Sequence, residues 1–199
     1  MAASPAGELP VGALTALPVE NRLAALQAWL YAEGERRLAG GLFEVVGPQA
    51  MRADHDQVIA TAQQALRDAE LPEEMATAAA VVLWSEEVVS CAHADLVTLF
   101  GDQVAGWVSG SLPPEPIEGD VQRWEAALAA YAVAPPPCQS LRMALLWGQL
   151  EHHDGDLLFA YREAQALSAA APGLRQRCLE RIEQRLDADG DGHGADRGQ

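Results

Sequence analysis

AAAVVLWSEEVVSCAHADLVTLFGDQVAGWVSG, residues 78–110, opens on an unbroken apolar run and then turns amphipathic. Pro72, Glu73 and Glu74 stand just ahead of it. Proline in a first turn and acids near the positive end of the helix dipole both favour starting a helix there. The pattern predicts a helix over roughly 72–90, apolar on every side from Ala76 to Trp84. A helix apolar all round is a buried one, so this segment is expected to be the central helix. Two shorter helices, at about 93–99 and 101–109, meet at Phe100-Gly101.

Outward from this centre nearly every periodic segment has the helical period, and no alternating run of strand length stands out. A helix is expected over about 18–39, closed by Gly40 and Gly41. LFEVVGPQAM, 42–51, is interrupted at Gly47-Pro48, and Asp54 is the expected N-cap of a helix over about 55–69. SLPPEPIEG, 111–119, reads as a loop, followed by helices near 120–133, 138–152, 156–169 and 173–186. Residues 1–17 are expected to be a flexible arm, and the glycine-rich, acidic 187–199 a disordered tail. The fold class is therefore all-α: a single-domain multi-helix bundle over 18–186.

The chain has 199 residues, 49% of them hydrophobic, which suffices for one domain with a real core. Thirteen basic residues, all arginine, stand against 29 acidic ones, a formal charge of -16. Such a surface repels phosphate backbones and anionic lipid, so neither nucleic acid nor membrane is an expected partner. No run reaches the length of a membrane span, and MAASPAGELP lacks the charged and apolar parts of a secretory signal. Cys91, Cys138 and Cys178 are an odd count without a CxxC pair, which fits a reducing cytoplasm better than a disulfide framework.

The opening stretch also carries a resemblance. AAVVLWSEEV followed by ADLVTLFGDQVAGWVSGSL resembles the pattern AALLHDxxED…FGxxVAxLVxGVT of HD-domain phosphohydrolases, in the branch that hydrolyses the alarmone ppGpp. Counting back from Phe100 puts that family's His-Asp pair on Leu83 and Trp84, and its Glu-Asp pair on Glu87 and Val88. LYAEGERRLAG, 30–40, is similar to AHxGQxRKxG but lacks the histidine. LFEVVGPQAM is similar to PYxxHPxxVA, with Gly47 at the metal-binding histidine. LRMALLWGQLEH, 141–152, stands in the place of VKLADRLHN, again without the aspartate.

The resemblance implies an HD-like helical fold, and its losses imply a hydrolase without its ion. Such enzymes hold a divalent metal with imidazole and carboxylate groups to activate water and neutralise phosphate charge. Leu83, Trp84 and Gly47 offer no side-chain lone pair, and Glu87 alone remains in register. No cofactor is expected.

Other clusters carry weaker signals. In RADHDQ, 52–57, Asp54, His55 and Asp56 are consecutive and cannot share a helix face; an N-cap with solvated neighbours is the preferred reading. EHHDGDL, 151–157, sets His152, His153 and Asp154 at a helix end and turn. A relocated metal site is one reading and a solvated loop the preferred one, since no second cluster stands at ligand spacing. Over residues 147–172, Gly148, Ala160 and Pro172 fall at the spacing of a tetratricopeptide repeat, which resembles one antiparallel helix pair, but no second copy follows. DADGDG, 187–192, offers Asp187, Asp189 and Asp191 as the first half of a calcium loop, yet position 12 falls on Gly198 instead of glutamate. Five tryptophans, one on each of five expected helices, read as core aromatics.

The functional expectation is a catalytically inactive HD-like module that binds a protein partner or self-associates. Nucleotide polyphosphates are disfavoured by the absence of lysine, with Arg36, Arg37 and Arg142 the cations within the worn motifs. A divergent phosphohydrolase using Glu87 with His55, His93 or His152 is the alternative, and a helical-repeat scaffold the second.

Overall fold

The computed structural model describes residues 9–38, 48–87, 91–112 and 120–192. Gly47, Val88, most of the loop at 111–119 and the end of the tail lie outside them. The described residues form ten α-helices and no strand: α1 Val11–Thr15, α2 Val19–Leu38, α3 Pro48–Asp68, α4 Glu74–Glu87, α5 His93–Phe100, α6 Asp102–Ser111, α7 Asp120–Val133, α8 Pro136–His152, α9 Leu157–Ala166 and α10 Pro172–Gly192. The all-α class expected from periodicity is the one observed.

α4 is the buried centre its composition demands. Val81, Val82 and Trp84 have no exposed surface and Leu83 has 1%. It packs against α2, α3, α6 and α8, so each side of an all-apolar helix finds an apolar neighbour. The most extensive helix pair is α3 with α8. α3 presents His55, Val58, Ile59, Ala62, Ala65 and Leu66, all buried, at the three- and four-residue spacing of one helix face.

Gly148 allows α8 to come close: a Cβ there would stand 2.5 Å from the Val58 carbonyl oxygen. The small residue at 148 therefore fits α8 to α3, and not to α9 as the repeat resemblance implies. Between α8 and α9 lies an open pocket instead.

The Phe100-Gly101 corner joins α5 to α6 at a single residue. Gly101 has φ 86°, outside the range an L side chain accepts readily, and its N–H donates to the Val97 carbonyl at 2.9 Å. α8 starts on Pro136 and Pro137, which need no N–H partner in a first turn. Behind them the buried Gln139 amide donates to the Ala134 carbonyl at 2.9 Å, and its oxygen accepts from the Ala169 N–H at 2.8 Å. The Ala171 N–H donates to Ser140 Oγ at 2.9 Å. Two buried polar side chains thus tie the α7–α8 corner to the α9–α10 turn.

Three segments depart most from expectation. α3 begins at Pro48, not near 55, so Asp54 lies within the helix and is not its cap. Proline suits the first turn, and the buried face from His55 onward extends a helix already started. α10 runs to Gly192, past the expected end at 186, because Leu174, Cys178 and Ile182 anchor its early turns and each added residue gains one hydrogen bond. Residues 9–17 are not a loose arm: α1 buries Leu14, and Arg22 donates to the carbonyls of Thr15 at 3.1 Å and Leu99 at 3.0 Å.

Candidate functional site

The two positions matching the His-Asp pair sit side by side near the end of α4, sealed from solvent. The Trp84 ring meets Tyr31 of α2 at a centroid distance of 3.6 Å and His55 of α3 at 4.6 Å, both edge-on. Its indole N–H has no acceptor among the described residues. Glu33 and Ser85 are buried too. Three helices thus converge on aromatic rings where a hydrolase of this pattern would hold water and metal. Periodicity gave no signal for Tyr31 and Glu33 here, because their meeting with Trp84 depends on how α2 crosses α4.

The histidines of the alternative reading go to separate places. His55 is buried against Trp84. His93 Nδ1 contacts Ser109 Oγ at 2.8 Å on the surface between α5 and α6. His152 Nε2 contacts Thr61 Oγ1 at 2.8 Å, joining the end of α8 to α3. Glu87 is the last residue of α4. Among the described residues no three His, Cys, Asp or Glu side chains gather to hold an ion.

The 151–157 cluster is divided among structural contacts. His153 Nε2 lies 3.3 Å from Asp54 Oδ2, and Arg185 reaches Asp154 Oδ1 at 2.8 Å while donating to the Leu150 and His153 carbonyls. Arg185 thereby satisfies the exposed carbonyl end of α8. Asp156 Oδ1 accepts from the N–H groups of Leu158 and Phe159, a side-chain N-cap for α9. Asp187, Asp189 and Asp191 lie on α10. The backbone there is helical and not the turn of a calcium loop.

None of the three cysteines is an activated nucleophile. All are buried. Burial pushes the thiols of Cys91 and Cys138 up and that of Cys178 up to about 12.

A concavity with a largely apolar wall lies between α8 and α9. It holds about 340 Å³ and is walled by Leu146, Leu150, Phe159 and Ala160, with His153 and Glu163 among its polar groups. Glu163 is fixed from behind by Arg142, whose Nε stands 2.6 Å from its carboxylate and whose guanidinium lies 5.0 Å from the Tyr131 ring. Arg142, a cation of the worn motifs, is therefore buried and committed to a carboxylate. Phe159 packs on Trp124 of α7 at 4.6 Å, with the Arg162 guanidinium 4.3 Å from the Trp124 ring.

Compared with family models, curated proteins and solved structures, the chain matches none. No helix among the described residues is long and apolar enough to cross a membrane. What stands defined is an all-α domain with one continuous core and a largely apolar pocket at one side.

Proposed function

We propose that this chain is a non-catalytic helical binding domain, built on an HD-like arrangement and serving a protein partner. The observation that carries the reading is the state of Leu83 and Trp84. At the two positions where the resemblance calls for metal ligands, both side chains are buried and packed against Tyr31 and His55. The kinship itself draws support from α3, α4 and α8. Two of the worn motifs fall on α4 and α8, which pack against each other, and a third runs into the start of α3, which packs against both. An acidic chain of charge -16 without lysine suits a protein partner better than a nucleotide polyphosphate.

The test is metal content by mass spectrometry on protein purified without chelator or immobilised nickel, with ppGpp turnover assayed in added manganese. Well under one equivalent of manganese, zinc or iron and no turnover is the expected result. Stoichiometric metal together with turnover that disappears in His55→Ala would overturn the reading in favour of a relocated hydrolase site.

A further inference from the structure

We infer that the pocket between α8 and α9 docks an apolar side chain presented by a basic, amphipathic helical segment of a partner protein. This rests on the binding-domain reading and names its surface and partner class. Two residues that line the pocket are fixed by internal contacts, Glu163 by the buried Arg142 and Asp156 by the cap that starts α9. At and beside it the chain exposes apolar side chains: Leu158 is 63% exposed and Phe159 50%. Phe159 is already set against Trp124, so docking on it orders little further. Apolar surface continuous with a polar-edged groove is the usual form of a helix-docking site.

Charge chooses the occupant. Asp156 and Glu163 line the pocket and no arginine does, and the cations around it are engaged: Arg142 by Glu163, Arg185 by Asp154 and Arg162 over the Trp124 ring. The attraction for a basic segment is therefore that of the chain's net charge and not of a free carboxylate in the pocket. A second copy would bring another -16 against the first, and the same repulsion disfavours nucleic acid. A segment with lysines or arginines flanking leucine or phenylalanine is attracted over distance and then buries its apolar face against Phe159 and Leu150.

The test uses the full chain and three labelled helical peptides, followed by fluorescence anisotropy: lysine/leucine amphipathic, lysine/serine of equal charge, and glutamate/leucine. The lysine/leucine peptide is expected to bind at least about tenfold more tightly than either control, and more weakly as salt rises. Phe159→Ser is expected to weaken it by about tenfold or more. Val133→Ser, at another exposed apolar residue (83%) outside the pocket, serves as the control and leaves it unchanged. Leu158→Ser, at a more exposed side chain, gives the same direction if Phe159→Ser fails to fold.

Equal binding of the lysine/serine peptide, or indifference to both Phe159→Ser and Leu158→Ser, would overturn the proposal. So would a concentration-dependent dimer in sedimentation that Leu158→Ser abolishes, since that assigns the face to a second copy. Metal-dependent turnover in the same preparation would remove the non-catalytic reading while leaving the peptide result to stand or fall by itself.

Discussion

Gly148 and Gly106 are both helical glycines, and their surroundings give them opposite roles. A Cβ at 148 would press on the Val58 carbonyl oxygen at 2.5 Å and on Val58 Cγ1 at 3.1 Å, while one at 106 meets nothing within 4 Å. Gly148→Ala is expected to lower stability in urea by about 1–3 kcal/mol, because α8 and α3 must separate. Gly106→Ala is expected to raise it by roughly 0.4–1 kcal/mol, since alanine restricts the unfolded chain and is the better helix former. Cys178 makes a second prediction. Its thiol stands at about 12 when folded against 9.0 ordinarily, so the unfolded chain loses the proton first. The stability this contributes is complete below pH 9 and is lost as pH rises from 9 to about 12. Urea midpoints should fall over that interval, and less steeply in Cys178→Ala. Neither residue's role shows in its neighbours along the chain: glycine and cysteine acquire these properties from another helix.

At the scale of elements, α4 was the most legible and α1, expected as part of an arm, the least. Residues 76–84 have no polar side to offer water apart from Thr77, so burial followed from composition alone. α9 was expected near 156–169, and it ends at Ala166 because the chain turns where Gln139 takes the Ala169 N–H. The α8–α9 connection rests on Arg142 and Glu163, whose side chains are 8% and 12% exposed. Glu163→Ala is expected to cost about 3–5 kcal/mol in urea unfolding, since it leaves a buried guanidinium without its carboxylate. Arg142→Met with Glu163→Leu should recover most of that loss, which separates the worth of the pair from the cost of breaking it. On α10, Arg177, Arg181 and Arg185 recur every four residues and meet Asp68, Glu151 and Asp154. That seam also accounts for Asp154, which an isolated reading of the sequence could assign to a metal.

For the whole molecule, a formal charge of -16 sets the solution behaviour. Self-repulsion of like charges opposes the compact state, and salt screens it. Raising sodium chloride from about 0.02 to about 0.5 M should therefore increase Tm by roughly 2–4 °C, the shift that about 1 kcal/mol produces in a chain of this size. A fall in Tm would mean that the seam of ion pairs along α10 outweighs the net repulsion. The five tryptophans also divide at this scale. Trp84 is fully enclosed, Trp29, Trp107 and Trp147 lie partly buried against the core, and Trp124 supports the exposed Phe159.

The sequence by itself determined the all-α class, the order of its major helices, the central place of α4 and the acidic surface. Each depends on periodicity, local start and stop residues or a simple sum of charges, all of which are properties of neighbours along the chain. The tertiary structure decided which residues share a site. It placed Tyr31 and His55 against Trp84, separated His93 and His152, gave Asp156 to a helix cap, and opened a pocket where two small residues pointed to a close helix pair. Contacts of this kind depend on crossing angles and on the registry of helices far apart in sequence. No local pattern encodes them.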